Sequence, residues 1–324
     1  MRAILALAAA APDRCEAAKS LRASLKMLSF NGGADPKHPC PFDAAPLTAF
    51  RGLERLDVAR APTITHASAL GRMRSLKVLA FRSGGPIEAI DYGALDGLHE
   101  VVLHDVQVER VNELREAKGL TQLTLSNVRG DAPITLDDHP TLRRFVCSSA
   151  QGVQRISLKR CAALEEIQLS WAQGVEALDV TGCTALSRIM ATSTARLSEI
   201  RGIETATALT LVSTPHSGTA WIPRAPLDGL TKLFNLDLSG GALETCAPLA
   251  AFPHLRWLSL NASRELRDVG GLAALKQLNT LALQWCPKLT DISGLEGLPL
   301  TGLQTRGSPI KPETVPLALQ RFVK

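Results

Sequence analysis

Aromatic residues, paired cysteines and long apolar segments are all scarce in this sequence. Aromatic residues make up only 4% of the 324 residues, although apolar residues as a whole make up 45%. The core must therefore be built from Leu, Ile, Val and Ala. The seven cysteines include no C-x-x-C pair, which argues against a zinc knuckle or a thioredoxin-type redox site. No apolar run approaches the roughly 20 residues that a membrane-spanning helix needs, so we predict no membrane span.

The sequence also lacks the short motifs that mark common catalytic sites. It contains no G-x-x-x-x-G-K-[ST], H-E-x-x-H, G-x-S-x-G or G-x-G-x-x-G segment. His104–Asp105 could be part of a hydrolytic dyad, and His38–Pro39–Cys40 could be half of a metal site. Neither has a companion nucleophile or a second pair of ligands to complete it. We therefore predict that the protein is not an enzyme and has neither a cofactor nor a metal site.

The charge of the chain bears on the class of partner. The formal net charge is +5, with 21% charged residues, and the lysines and arginines are scattered along the chain. A nucleic-acid-binding protein more often has a basic stripe with aromatic residues between the charges. We therefore predict a protein partner rather than a nucleic acid.

The cysteines and the N-terminus bear on location. An odd number of cysteines without close pairs fits a reducing compartment, and we predict a cytoplasmic protein. Arg2 followed by the apolar residues 4–11 imitates a short signal peptide, so export or secretion is the alternative. We favour an Ala-rich first helix that runs to about Leu28. The Ala- and Arg-rich composition favours a bacterial source.

An internal repeat is the strongest feature of the chain. The pattern L-x-x-L-x-L, with other apolar residues allowed at the Leu positions, returns at steps of 22 or 23 residues. It begins at Leu53, Leu76, Leu98, Leu120, Leu142, Leu164, Leu186, Leu233, Leu255, Leu278 and Leu300, with weaker copies at Leu25 and Ala206. The alternating part predicts a short strand with one buried face. One such unit cannot bury its apolar face alone, so stacked units must form a parallel sheet.

The segment QLNTLALQWCPKLTDISGLEGL, residues 277–298, resembles the leucine-rich-repeat superfamily, and the resemblance covers about residues 50–308. It implies an α/β repeat solenoid, a horseshoe with a parallel β-sheet on its concave face and about 12–13 turns. It also implies recognition of a protein rather than catalysis. We divide the chain into an N-terminal cap at 1–50, a repeat array at 51–308 with an irregular loop at 212–229, and a C-terminal cap at 309–324.

One departure from this superfamily concerns the bend after each strand. The superfamily usually has Asn or Cys three residues after the last apolar position of the strand, where the side chain bonds to the backbone of the bend. Here the column consists of Ala61, Gly84, Val106, Val128, Ala150, Ala172, Thr194, Gly241, Ser263, Cys286 and Ser308. Because the asparagines are missing, we expect backbone groups or water to satisfy these bends.

The middle of the chain permits two repeat frames. From Leu142 to Leu197 the apolar pattern returns every eleven residues. One frame continues the regular 22-residue spacing, while the other places Cys161 and Cys183 at the usual position in the bend. The first frame is our prediction, and both halves of these turns could be extended. We expect Cys161 and Cys183 to be buried thiols rather than a disulfide.

The tryptophans suggest a contact surface. We predict that Trp257 lies just before its strand and that Trp285 and Trp171 lie just after theirs. These positions should point away from the core, and exposed tryptophan is unusual unless it binds something. Their neighbours extend the predicted partner-binding site to Arg256, Asn261, Asn279 and Gln284. The alternative is that each tryptophan folds over a loop and covers a leucine. For Trp221, in the irregular loop, we expect a plug rather than a projecting contact.

These observations predict a monomeric, non-catalytic protein–protein interaction module that binds its partner on the concave face of the solenoid. A targeting or substrate-recognition subunit of an enzyme system, or an exported bacterial effector, is the alternative. The repeats and caps leave no room for a catalytic domain of about 100 residues.

Overall fold

The structure is a computed structural model that describes residues 24–32, 41–82, 87–222 and 227–323. The chain forms two compact units, Met1–Val153 and Gln154–Lys324. We call them unit 1 and unit 2 and describe each by itself.

Unit 1 contains one main sheet of six parallel strands, and a strand follows each copy of the repeat. Each of these strands places alternate apolar side chains into the core. The strands of unit 1 are β1 (Met27–Asn31), β2 (Phe42–Asp43), β3 (Arg55–Ala59), β4 (Ile64–Thr65), β5 (Val78–Arg82), β6 (Glu100–His104), β7 (Gln122–Ser126), β8 (Ile134–Thr135) and β9 (Arg144–Ser148). The main sheet has the order β1-β3-β5-β6-β7-β9, and β2 pairs with β4 on the return side.

The chain returns from one strand of unit 1 to the next through short helices. They are the 3₁₀ helices Ala45–Ala49, Ala67–Arg72, Tyr92–Ala94 and Glu113–Glu116, and one α-helix, α1 (Val108–Asn112). Each places at least one apolar side chain in the core, such as the fully buried Leu47 and Leu70. These returns therefore form the second layer that covers the sheet.

Unit 2 contains two parallel sheets. Its strands are β10 (Arg155–Ser157), β11 (Glu166–Ser170), β12 (Ala177–Asp179), β13 (Arg188–Thr192), β14 (Glu199–Arg201), β15 (Leu211–Ser213), β16 (Asn235–Asp237), β17 (Trp257–Ser259), β18 (Thr280–Ala282) and β19 (Gly302–Gln304). The main sheet has the order β11-β13-β15-β16-β17-β18-β19, while β10, β12 and β14 pair in a second sheet. Later returns are the 3₁₀ helices Ile203–Thr205, Ala247–Ala251, Gly270–Ala274 and Ser293–Leu295.

These sheets answer the question of the repeat frame. Strands β9, β11 and β13 lie in the main sheets, so the predicted 22-residue frame is confirmed. Strands β10, β12 and β14 follow the alternative frame and form the second sheet, so both halves of these turns are extended. Cys161 and Cys183 follow β10 and β12, and both are buried thiols as expected.

The core is aliphatic, as the composition predicts. The first leucine of each repeat and the two apolar positions of the strand are almost completely buried, for example Leu164, Ile167 and Leu169. Burying one such side chain contributes about 1.5–3 kcal/mol, and every repeat contributes several of them. In the described parts of the two units there are thirteen main-sheet strands, which confirms the upper predicted number of turns.

The bends after the main-sheet strands of unit 2 depart from the expectation that backbone or water satisfies them. The Thr194 hydroxyl lies 2.8 Å from the Ser217 hydroxyl, which donates to the Ala191 carbonyl at 2.5 Å. Ser308 accepts a hydrogen bond from the Cys286 amide at 2.9 Å and donates to a carbonyl of the preceding turn. Hydroxyl side chains, and the Cys286 thiol at 3.2 Å from the Leu260 carbonyl, therefore bond to backbone groups of these bends, the part that the resemblance implied for asparagine.

The two ends and the irregular loop are only partly described. Residues 27 and 28 belong to β1, so the predicted first helix cannot reach Leu28, and its remainder mostly lies outside the described residues, as does Cys40. Strand β1 pairs with β3, so the segment predicted as the N-terminal cap contains a repeat strand. At the other end, the 3₁₀ helices Pro312–Thr314 and Leu317–Phe322 follow β19, and the second contacts that strand. Within the described ranges no helix is long and apolar enough to cross a bilayer.

Candidate functional site

A residue with a left-handed backbone turns the chain after most main-sheet strands; it directly follows five-residue strands such as β11 and lies three residues after three-residue strands such as β18. Trp171 and Trp285 occupy this position in unit 2, with φ of 56° and 60°. Their amides donate to the next turn, Trp171 to the Thr192 carbonyl at 3.0 Å and Trp285 to the Arg306 carbonyl at 2.9 Å. The backbone is therefore fixed, while Trp171 and Trp285 are 61% and 58% exposed beyond the C-terminal ends of their strands. The prediction that both point away from the core is confirmed.

Trp285 is nevertheless partly packed. A Cβ atom added to Gly307 would lie 2.3 Å from the Trp285 ring, so the indole rests against the backbone of the next turn. Gly307 also has a left-handed φ of 78°, which glycine adopts without strain. The ring thus covers a glycine rather than a leucine, and more than half of its surface remains accessible.

Trp257 is placed differently from the other two. It is the first residue of β17, paired in register with Asn235 and Thr280, rather than a residue before the strand as we predicted. The next residue, Leu258, is fully buried, so alternation places Trp257 on the solvent-facing side of the sheet, where it is half-buried. Trp257 can therefore contact a ligand with one part of its ring while the rest packs on the sheet.

The polar residues predicted around these tryptophans lie at opposite ends of β17 and β18. Arg256 and Asn279 are exposed and immediately precede β17 and β18. Gln284 and Asn261 are half-buried near the other ends of the same strands. The Asn261 side-chain oxygen accepts the Gln284 amide at 2.8 Å, so part of Asn261 is used within the fold.

The remaining tryptophan of the predicted site is distant from this group. Trp171 follows β11, five strands before Trp285 in the main sheet of unit 2. At about 4.8 Å per strand that separation is about 24 Å. We define the tryptophan surface as Arg256, Trp257, Asn279, Gln284 and Trp285 with the strand residues between them. Trp171 is treated as a separate contact at the C-terminal end of another strand of the same sheet.

Sequence reasoning missed three residues of this surface: the exposed Arg306 and the small, buried Ser259 and Ala282. Arg306 is exposed and lies beside Trp285, because its carbonyl accepts the Trp285 amide. Ser259 and Ala282 are on the same side of the sheet as Trp257, yet they are only 3% and 4% exposed. The 22-residue period would have placed Arg306 next to Gln284, and applying it to every outward position would have found it.

The fourth tryptophan is a plug, as expected. Trp221 is 4% exposed, and its ring centroid lies 6.3 Å from that of Phe252. Its indole N–H has no hydrogen-bond partner within the described ranges. Trp221 therefore stabilises the irregular loop and is not part of the tryptophan surface.

The candidate catalytic residues of unit 1 are held in structural contacts. The side chains of Asn127 and Arg129 both donate to the Asp105 carboxylate, with the Arg129 contact at 2.9 Å. Partial burial and the charge of Arg82 lower the pKa of His104. In the part of the chain that the structure describes, no group of three or more His, Cys, Asp or Glu residues could hold a metal ion. His38 and Cys40 lie outside that part.

No protein-family model matches the chain, and no curated protein matches its sequence. Among solved structures, the internalin InlF of Listeria monocytogenes has a TM-score of 0.51 and 17% identity, over 96% of this chain and 89% of the internalin. TLR13, solved in complex with ssRNA13, has a TM-score of 0.50 and 13% identity. That alignment covers 89% of this chain but only 47% of TLR13. At such identities the likeness establishes the fold alone, and the chain has the leucine-rich-repeat fold.

Proposed function

We propose that this leucine-rich-repeat protein is a non-catalytic interaction module and that it binds another protein on the solvent-facing side of the main sheet of unit 2. The exposed indole of Trp285, held on a hydrogen-bonded backbone after the strand next to that of Trp257, is the observation that carries the proposal. Tryptophan and arginine are the residues most enriched among those that dominate the energy of protein interfaces.

Rigidity supports the same conclusion. The outward residues of β17 and β18 are fixed by parallel pairing on both sides. Binding to such a surface orders little of this chain, so more of the contact energy appears as affinity. The exposed amide of Asn279 and the half-buried amide of Gln284 can form hydrogen bonds that orient a ligand, while the indoles supply apolar contact area.

The fold by itself does not select the class of partner. The TLR13 structure shows the same fold holding a single-stranded RNA, so the residues of each surface must decide. The solvent-facing residues of β16, β17, β18 and β19 are mainly small or neutral polar residues, with one aspartate, one tryptophan and no cation. This composition favours a protein partner over a polyanion.

The proposal includes a monomer in a reducing compartment. The five cysteines between residues 147 and 286 are all buried thiols, and burial raises the pKa of Cys147 to about 12. Such thiols are unreactive and need no oxidising environment. Sedimentation of the purified chain should give the mass of one copy, and a stable dimer would contradict this part.

Affinity capture from a lysate of the source organism tests the proposal. The baits are the wild type, a Trp257→Ala/Trp285→Ala variant and a Leu317→Ala control, since Leu317 is exposed on the C-terminal 3₁₀ helix. We expect a protein that the wild type and the control retain and the double variant loses while its circular dichroism is unchanged. Retention of the same partner by all three baits would place the contact elsewhere, and retention of none would remove the support for an interaction module.

A further inference from the structure

We propose that the solvent-facing side of β17, β18 and β19 is a groove for an acidic, extended segment of a partner protein. This inference rests on the proposed function and adds the chemistry of the ligand. We call these strands, with Arg256, Trp257, Trp285 and Arg306, the β17–β19 groove.

The charges of the groove are not neutralised within the fold. Residues 256–264, 279–286 and 301–308 contain three arginines and no acidic residue. Arg256 and Arg306 are exposed, and neither makes an ion pair with any other described residue. Elsewhere on the same sheet Arg188 is 2.6 Å from the Glu166 carboxylate. The β17–β19 groove therefore offers positive charge that no carboxylate of the described residues neutralises.

The cations and indoles lie at the two ends of the groove. Arg256 and Trp257 are at the start of β17, and Trp257 pairs in register with Thr280 of β18. Trp285 is five residues beyond Thr280 and beside Arg306. At about 3.3 Å per residue, the two ends are about 16 Å apart along the strands. An extended peptide covers that length with about six residues, so its acidic groups should lie near the two ends of such a segment.

The floor and one side of the groove suit a chain lying along the strands. Ser259 and Ala282 have small side chains and are nearly inaccessible to solvent, so the floor is recessed below Trp257. On the side of β16, the Asp237 carboxylate accepts hydrogen bonds from the Ser239 amide at 3.0 Å and from the Ser213 hydroxyl at 3.3 Å. This negative border would keep an acidic segment over β17–β19.

The end of the groove beside Arg306 opens into a cavity of about 620 Å³. Gln284 and Arg306 line it on the side of the sheet, and Val315 and Phe322 line it on the side of the C-terminal helices. A cation next to an apolar wall fits a carboxylate that has an apolar side chain as its neighbour. We therefore expect the end of the segment that contacts Arg306 to contain an acidic residue beside an apolar one.

A single-stranded nucleic acid fits the same surface less well. It carries a phosphate at every nucleotide, and proteins that bind it follow the backbone with a continuous positive groove. Here the cations stand at the two ends, with neutral residues between them. Nucleic acid is therefore the alternative that the experiment must test.

Selection of random decapeptides displayed on phage, with the full chain immobilised, tests the proposal. We expect enriched peptides with Asp or Glu at two positions about five residues apart and an apolar residue beside one of them. The enriched peptide should bind the soluble protein in fluorescence anisotropy, and replacing its acidic residues with amides should weaken it about fivefold for each charge. A peptide selection without enrichment, or with enrichment of uncharged peptides, would overturn the proposal.

Matched variants locate the contact. Arg256→Gln and Arg306→Gln should each weaken the peptide about fivefold, while Arg74→Gln in unit 1, also exposed and without an ion pair to a described residue, should not. Trp285→Ala should weaken it more than Trp171→Ala. Oligouridylate that binds more tightly than the peptide and displaces it would overturn the proposal. A captured partner that needs Trp257 and Trp285 but ignores both arginine changes would leave the proposed function standing and overturn this inference alone.

Discussion

The bend after a main-sheet strand is stabilised differently in the two units. In unit 1 the position after the left-handed residue is apolar, as at Val106, Val128 and Ala150, and backbone bonds such as Asn127 N to Ser148 O at 2.9 Å hold the turn. In unit 2 the same position is often a hydroxyl or thiol, as at Thr194 and Cys286, bonded to a neighbouring turn. A bend of this repeat can therefore be stable without asparagine in two ways, through apolar packing or through a smaller polar side chain.

The solvent-facing charges differ between the units as well. In unit 1, Glu54 lies 3.0 Å from Lys26 and 2.7 Å from Lys77, and Arg82 lies 3.3 Å from Asp57. Arg256 and Arg306, which flank the last strands of unit 2, form no ion pair with another described residue. Neutralised charge on a sheet face limits attraction to other molecules, so we expect the end of unit 2, rather than unit 1, to bind.

Removing a bend hydroxyl of unit 2 should have the largest effect on stability. Ser217→Ala leaves the Thr194 amide without its partner in a buried site, and it leaves the Ala191 carbonyl with only the Thr194 hydroxyl at 3.4 Å. We expect a loss of about 2–3 kcal/mol in the free energy of unfolding. Urea titration followed by circular dichroism measures it, and Ser170→Ala, a half-exposed strand position, serves as the control with almost no change. A loss below 0.5 kcal/mol, on the order of an ordinary surface substitution, would refute the polar role of these bends.

A reciprocal exchange sharpens the same contrast. Thr194→Val in unit 2 removes a buried hydrogen bond to Ser217 and should cost about 1–2 kcal/mol. Val128→Thr in unit 1 adds a buried hydroxyl where the next turn offers Ala150, and it should cost about 1 kcal/mol. Equal stabilisation by threonine and valine at both positions, in the same titration, would show that the two kinds of bend are interchangeable.

Acidification should weaken unit 1 through His139. Burial lowers the pKa of His139 below the ordinary value of 6.5, although backbone carbonyls partly oppose the shift. A lowered pKa means that the stabilising contribution is complete above pH 6.5 and is lost as the pH falls toward the folded-state value. We expect the protection factor of the β9 amides, the ratio of intrinsic to observed exchange rate at each pH, to fall below pH 6.5, and to fall less in His139→Gln. A pH-independent protection factor in the wild type would contradict the assignment.

The smallest effects should come from the surface arginines. Arg188→Gln breaks an ion pair with Glu166, whose side chain is only 12% exposed, and should cost about 0.5–1 kcal/mol. Arg306→Gln breaks no ion pair with a described residue and should change the free energy of unfolding by less than about 0.3 kcal/mol. A larger loss for Arg306→Gln would mean that this arginine supports the fold and is not held for a ligand.

Much of the array was predictable from the sequence because each repeat is a local pattern. The spacing from Leu53 to Leu300 located the main-sheet strands, and the weak copy at Leu25 corresponds to β1. The weak copy at Ala206 was placed three residues too early, because Val212 of β15 pairs in register with Ile189 and Leu209 is the buried first leucine of that turn. Outward placement of Trp171 and Trp285 followed from alternation within one repeat. The same reasoning misplaced Trp257 by assigning it to the segment before the strand, because neighbouring repeats determine where pairing begins.

The sequence by itself determined the period, the aliphatic core and the exposure of the strand edges, since these depend on residues within one turn. Only the tertiary structure decided that both halves of the middle turns are extended, that Ser217 and Ser308 close bends about one turn away, and that Trp221 is buried against Phe252. It also decided which arginines have acidic neighbours. These outcomes depend on side chains brought together from turns at least 20 residues apart, and a pattern read along one repeat does not contain them.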